Sequence, residues 1–114
     1  MTVNITTVAN GFSVAPQLQP NDLAEIARQG FRAVINNRPD GEGGPDQPRA
    51  EDLRAAAEAA GLAYVFLPVP PSGFGDEPVV RLRELLAELP QPVLAFCRTG
   101  TRSTSLYRRA TGTP

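Results

Sequence analysis

Apolar stretches alternate with amphipathic segments along the whole chain. A loosely alternating stretch and three compact apolar runs predict strands at residues 12–18, 32–36, 62–69 and 92–96. Apolar positions at helical spacing predict helices at residues 20–29, 49–60, 78–89 and 103–110. The order β-α-β-α-β-α-β-α favours an α/β fold with a short, mostly parallel central sheet flanked by helices.

Length and composition fit one domain over residues 1–114. The chain has 114 residues, of which 41% are hydrophobic and 20% charged, enough for one core. Only about ten residues follow the last loop, so two interpretations stay open: a closing helix is missing, or the domain belongs to a longer protein. A formal net charge of −1 argues against a nucleic-acid or membrane-surface partner, and no apolar run predicts a membrane span.

Cysteine and histidine counts restrict the chemistry. One cysteine excludes an internal disulfide and favours a reducing compartment, so we expect a cytoplasmic protein. The absence of histidine excludes Ser-His-Asp catalytic triads, Cys-His catalytic dyads and most zinc sites. The sequence has no metal-ligand cluster, and no cofactor is expected.

The lone cysteine stands where a predicted strand turns into a helix. In parallel sheets ligands bind at the loops that follow the strands. Cys97 is followed within six residues by two guanidinium groups, three hydroxyls and a glycine: Arg98, Thr99, Gly100, Thr101, Arg102 and Ser103. Backbone N–H groups of such a loop converge at a helix N-terminus, where they bind anions and favour a thiolate. We therefore predict a nucleophilic Cys97, although a lone cysteine ending a strand can also be an inert core residue.

The segment Cys97-Arg98-Thr99-Gly100-Thr101-Arg102-Ser103 resembles the active-site loop of the beta-lactamase-hydrolase-like, phosphatase-like domain family. Residues 12–18, 34–42 and 59–69 also match that family's pattern in order. The resemblance implies a tyrosine or dual-specificity phosphatase-like fold. Some members of the family are described as sulfurtransferases, so the reaction stays open between sulfur and phosphoryl transfer.

Loop length separates the two chemistries. Tyrosine phosphatases have five residues between cysteine and arginine and usually a histidine before the cysteine, whereas rhodanese-type loops are often shorter. Here four residues separate Cys97 from Arg102, and Phe96 precedes the cysteine. These departures favour a rhodanese-like sulfurtransferase. The alternative is a phosphate monoester hydrolase with a phosphocysteine intermediate. A third hypothesis is a non-catalytic anion-binding module.

A phosphatase also needs an acid to protonate the leaving alcohol. Asp76 and Asp40 are the candidates, although each can equally cap a helix or form a turn. Arg38, Asp40 and Glu42 lie on one strand-end loop, so we expect at least one of them to line the pocket.

In the favoured mechanism Cys97 attacks the outer sulfur of thiosulfate or a persulfide. The resulting Cys97 persulfide is held by loop N–H groups and the hydroxyls of Thr99 and Thr101, while Arg98 or Arg102 binds the anionic substrate. With one cysteine in the chain, the thiol acceptor must be external. The resemblance implies that a fused or partner sulfur-oxidising domain can take part.

Overall fold

A computed structural model describes residues 3–113. Its five strands are β1 (Thr6–Ala9), β2 (Phe12–Ala15), β3 (Ala33–Asn36), β4 (Ala63–Phe66) and β5 (Val93–Phe96). Its four α-helices are α1 (Asp22–Arg28), α2 (Ala50–Ala59), α3 (Asp76–Glu88) and α4 (Thr101–Thr111), and a short 3₁₀ turn covers Gly44–Asp46. All eight predicted elements are present, with strands shorter than expected by one to four residues. The predicted α/β class is confirmed.

The first strand was not predicted. β1 pairs antiparallel with β2 through a two-residue turn, Asn10-Gly11, which joins the paired residues Ala9 and Phe12. Gly11 has φ +85°, a conformation that glycine adopts without strain, and the Asn-Gly pair is typical of short hairpin turns. β1 itself is half exposed and rich in threonine, so it lacks the apolar run that marked the other strands.

The sheet places β5 at its centre. The strand order is β1-β2-β5-β3-β4, and every pair except β1–β2 is parallel. Phe96, the last residue of β5, aligns with Ala15 at the end of β2 and Asn36 at the end of β3. The loops that follow these three strands therefore meet at one edge of the sheet.

Alternate residues of the sheet supply two cores. On one face Val93 and Ala95 of β5 join the cluster that contains Leu82 of α3 and Leu106 of α4. On the other face Leu94 and Phe96 join Leu23 and Ile26 of α1 and Leu53 of α2. Burial on both faces explains why β5 reads as a continuous apolar run. Within residues 3–113 no helix has the length and apolarity required to cross a membrane.

Two positions on α3 test this packing. Leu82→Ala should lower the free energy of unfolding by about 2–5 kcal/mol, because the side chain is 1% exposed and its loss leaves a cavity. Val80→Ala, on the same helix but 48% exposed, should change it by less than about 0.5 kcal/mol. Urea unfolding of both variants measures the difference, and equal losses would contradict the assigned face of α3.

Candidate active site

Cys97 is the first residue after the central strand. Two neighbouring loops bond the backbone on either side of it: the Asn37 N–H donates to the Phe96 carbonyl at 2.8 Å, and the Gln17 N–H donates to the Arg98 carbonyl at 3.2 Å. The cysteine is therefore held by the ends of all three central strands. Its side chain is fully buried.

Backbone N–H groups surround the Cys97 sulfur. The Gly100 N–H donates to Sγ at 3.1 Å. Burial by itself raises the pKa of the thiol, but hydrogen bonds from the backbone of Ser103, Thr99, Gly100 and Arg102 lower it, and the net pKa lies below the ordinary value. This is the anion-stabilising arrangement that the sequence predicted for the cysteine loop, residues 97–102.

Gly100 gives the loop its curl. It has φ +93° and immediately precedes α4, so the chain turns through the left-handed region just before the helix begins. A Cβ at this position would also lie 3.5 Å from the carbonyl oxygen of Ala15. The glycine thus lets the loop fold back over the sulfur while packing against the end of β2.

The hydroxyls of the loop are engaged with each other and with a neighbouring loop. Thr99 Oγ1 lies 3.0 Å from Thr101 Oγ1 and accepts from the Thr101 N–H at 3.4 Å. Ser103 Oγ is buried and donates to Asn37 Oδ1 at 2.8 Å, and Asn37 Nδ2 donates to the Leu67 carbonyl at 2.8 Å. Asn37 links α4 to the loops after β3 and β4, a role that no pattern in the sequence predicts.

A carboxylate holds the arginine of the loop. Arg102 donates from Nη1 to Glu42 Oε1 at 2.8 Å and from Nη2 to Glu42 Oε2 at 2.7 Å. A further bond runs from Nη1 to the Val69 carbonyl at 2.9 Å. Hydrogen bonding to Glu42 raises the pKa of Arg102, burial opposes this, and the charge of Cys97 raises it further. Arg102 therefore stays cationic and faces both the carboxylate and the sulfur.

Glu42 joins a second guanidinium to the first. Arg38 Nε donates to Glu42 Oε2 at 2.8 Å, and Arg38 Nη1 donates to Gln17 Oε1 at 3.1 Å. The side chains of Arg38, Glu42 and Arg102 are only 10–15% exposed. Bonding to Arg102, opposed by burial and assisted by Arg38, lowers the pKa of Glu42 to about 2. Of the three charged residues expected to line the pocket from the 38–42 loop, Arg38 and Glu42 do so.

These groups line one pocket of about 600 Å³. Its walls are Arg38, Glu42, Gly43, Pro71, Arg98, Thr99 and Arg102. The backbones of Thr99 and Arg102 also lie near enough to the Cys97 sulfur to lower its pKa, so the sulfur lies behind the pocket wall that they form. Arg98 is exposed at this pocket. The result is a cationic, mostly polar pocket beside the Cys97 sulfur.

The two aspartates proposed as acids lie elsewhere. Asp40 Oδ1 accepts from the Ala50 N–H at 2.7 Å and so caps α2. Asp76 begins α3, is 93% exposed in its side chain, and pairs through Oδ1 with Arg109 Nη2 at 3.1 Å. Asp76 lines a separate groove with Phe74 and Val80. Neither aspartate is among the residues that line the Cys97 pocket.

Among residues 3–113 no three His, Cys, Asp or Glu side chains are grouped closely enough to hold a metal ion. Beside the Cys97 sulfur the pocket presents three guanidinium groups, the Thr99 hydroxyl and one ionised carboxylate.

The family model described as "Beta-lactamase hydrolase-like protein, phosphatase-like domain" matches residues 4–112. The chain belongs to this family. A beta-lactamase hydrolase-like protein of Xylella fastidiosa is 34% identical over 105 residues, which are 92% of this chain and 24% of that protein. The chain spans about a quarter of the length of the curated relatives it matches.

Solved structures show the same fold. A candidate phosphatase from Neisseria meningitidis is 35% identical, with a TM-score of 0.85 over 96% of this chain and 80% of that one. TpbA of P. aeruginosa in complex with pTyr is 19% identical, with a TM-score of 0.68 over 96% of this chain and 65% of that one. The predicted phosphatase-like fold of this family member is confirmed.

The ion pairs of Glu42 predict a pH dependence of stability. A carboxyl whose pKa falls from 4.5 when unfolded to about 2 when folded stabilises the fold above pH 4.5, and this stability is lost as pH falls towards 2. The shift corresponds to about 3 kcal/mol. Glu42→Gln should lower the free energy of unfolding at neutral pH, because it leaves two buried guanidinium groups without a counter-charge. Between pH 4.5 and 2 the free energy of unfolding of this variant should fall less than that of the wild type.

Urea unfolding across this pH range measures both effects. Glu84→Gln is the control, since Glu84 forms an exposed ion pair with Arg81 and its loss should cost about 0.5 kcal/mol or less. An acid-range slope for Glu42→Gln as steep as that of the wild type would show that Glu42 is not the group responsible.

The loop N–H groups predict an acidic thiol. Ultraviolet absorbance of the thiolate should titrate with a midpoint below the ordinary cysteine pKa, because the loop N–H groups stabilise the anion. The urea-unfolded protein should return to the ordinary value, and Cys97→Ser should abolish the signal, because the chain has one cysteine. A native midpoint at or above that of the unfolded chain would contradict the assignment.

Proposed function

We propose that this domain is a cysteine-dependent phosphatase that hydrolyses phosphate monoesters through a phosphocysteine at Cys97. The observation that carries the proposal is the placement of the Cys97 sulfur at the N-terminus of α4, where the Gly100 N–H donates to it at 3.1 Å and the backbone of Thr99, Gly100, Arg102 and Ser103 lowers its pKa. A thiol whose pKa is lowered in this way ionises more readily, and the thiolate is the form that acts as a nucleophile. The same N–H groups can bind the oxygens of a phosphoryl group attached to that sulfur.

Arg102 would bind the phosphoryl oxygens. Of its five N–H groups, two bond Glu42 and one bonds the Val69 carbonyl. The remaining two, on Nε and Nη2, share one edge of the guanidinium and suit two oxygens of a phosphate. Glu42 acts here as a positioning residue, since it holds the opposite edge and so aims the free one.

In the first step the Cys97 thiolate attacks phosphorus, the S–P bond forms, and the P–O bond to the leaving group breaks. In the second step water attacks phosphorus, the S–P bond breaks, and inorganic phosphate and the thiolate are released together with a proton. Arg98, exposed at the pocket, adds positive charge that favours binding of a small anionic substrate.

The comparisons support this reading over the sulfurtransferase favoured by loop length. The matched family is named phosphatase-like, the Neisseria protein is named for a phosphatase, and TpbA was crystallised with pTyr. Membership of the family and the TM-score of 0.85 extend the likeness beyond the cysteine loop to nearly the whole chain.

Sulfur transfer is the second candidate, and one observation favours it. Only four residues lie between Cys97 and Arg102, a smaller ring than the phosphatase spacing. Incubation with thiosulfate and cyanide separates the two: thiocyanate production that is lost in Cys97→Ser, without phosphate release from an aryl phosphate, would replace the phosphatase proposal.

Two substitutions test the phosphatase assignment with 4-nitrophenyl phosphate. Cys97→Ser should abolish turnover, because the hydroxyl at that site is not ionised at neutral pH. Arg102→Lys should lower kcat/KM by about 10²–10³-fold, because an ammonium group cannot present two parallel N–H donors to the phosphoryl group.

Arg108→Lys is the matched control for Arg102→Lys. Arg108 lies on the same helix, is exposed, and is outside the Cys97 pocket, so its replacement should leave kcat/KM within about twofold of the wild type. Turnover that survives in Cys97→Ser would refute the phosphocysteine mechanism.

A further inference from the structure

The placement of acidic groups around the Cys97 pocket limits which phosphate esters it can cleave. Breaking a P–O bond to an alcohol leaves a strongly basic alkoxide unless a side chain protonates it, whereas a weakly basic oxygen leaves without help. A phosphatase that acts on alkyl phosphates therefore needs an acid within reach of the leaving oxygen.

The residues that line the pocket offer no such acid. Guanidinium groups keep their protons throughout the physiological range, and a threonine hydroxyl is not acidic enough to serve. Glu42 is the one carboxylate among the described lining residues, and each of its oxygens accepts from a guanidinium. With a pKa of about 2 it carries no proton to donate at neutral pH. The sequence has no histidine, and its eleven cationic residues are all arginines.

The two aspartates are held away from the pocket by specific contacts. Asp40 Oδ1 is bonded to the first N–H group of α2. Asp76 pairs with Arg109, which also donates to the Phe74 carbonyl at 3.1 Å and packs its guanidinium 5.0 Å from the Phe74 ring. These contacts tie the start of α3 to α4, on the side of the separate groove. A swing of Asp76 over the cysteine loop would require breaking them.

We infer that the site acts on phosphoryl groups whose leaving oxygen departs as a weakly basic anion, as in aryl phosphates and phosphoanhydrides, and discriminates against alkyl phosphates. This inference rests on the proposed phosphatase function. When the S–P bond forms, the electron pair of the broken P–O bond leaves with the phenolate or phosphate oxygen, which takes a proton from solvent afterwards. Specificity then follows from leaving-group basicity rather than from a donated proton.

The test compares kcat/KM for 4-nitrophenyl phosphate, phenyl phosphate and phosphoserine, since kcat/KM reports the step in which the leaving group departs. Because phenolate is a much stronger base than 4-nitrophenolate, phenyl phosphate should be at least about 10²-fold poorer, the size of effect that a general acid would otherwise remove. Phosphoserine should be cleaved more slowly still. Values for the two aryl esters within about tenfold of each other would overturn the inference while leaving the phosphatase proposal intact.

Two conservative variants check the aspartates directly. Asp40→Asn keeps an oxygen that can cap α2, and Asp76→Asn removes an exposed ion pair, so both should fold. Neither should change the ratio of kcat/KM between the two aryl phosphates by more than about threefold, as expected for residues that donate no proton. A variant that lowers kcat/KM for phenyl phosphate by about 10²-fold while sparing 4-nitrophenyl phosphate would identify that aspartate as the acid and overturn the inference.

Failure of the underlying function has a different signature. If the wild-type domain releases phosphate from none of the three esters, the phosphatase proposal fails, and the inference fails with it. The thiocyanate assay on the same preparation then tells whether the cysteine transfers sulfur instead.

Discussion

The convergence of backbone N–H groups on a single sulfur, closest from Gly100 at 3.1 Å, is the constraint on which the rest of the site depends. The sulfur belongs to the residue that follows the central strand, and the strands on both sides end at the same level. Burial alone would raise the pKa of the thiol, so its lowered pKa depends on keeping those N–H groups aimed at the sulfur. Gly100 allows that arrangement by taking a backbone conformation that other residues avoid.

The ion-pair network extends the same logic to the side chains. Glu42 and Arg102 are 60 residues apart in sequence, and their pairing joins the loop after β3 to the start of α4. Removing two guanidinium groups and a carboxylate from water is costly, and only close geometry repays it. The distances of 2.7–2.8 Å and the bond from Arg38 meet that requirement. The charged side chains of the pocket are thus held in place by one another.

Sequence patterns were sufficient for the architecture and for the cysteine loop. Burial on both faces makes β5 apolar throughout and β3 apolar except for Asn36, and the cluster of arginines and hydroxyls after Cys97 marks the candidate site within a few residues. The ion-pair partner of Arg102 could not be predicted from the sequence, because a loop that carries Arg38, Asp40 and Glu42 does not show which side chain points into the pocket. The Asp40 carboxyl turns instead to the N-terminus of α2, and Asn37 bridges three elements that only the folded chain brings together. The Asn-Gly turn before β2 was a readable signal for the edge strand.

The bidentate pairing of Glu42 with Arg102 has a consequence for how this domain can diverge. Replacement of the arginine at position 102 would leave a buried carboxylate without its main counter-charge. Replacement of the glutamate at position 42 would leave two cations facing each other. Neither change is easily tolerated alone, so drift at these two sites should proceed by joint replacement. A family member that lacks the arginine should therefore also lack the glutamate, and its pocket could then bind a different class of ligand.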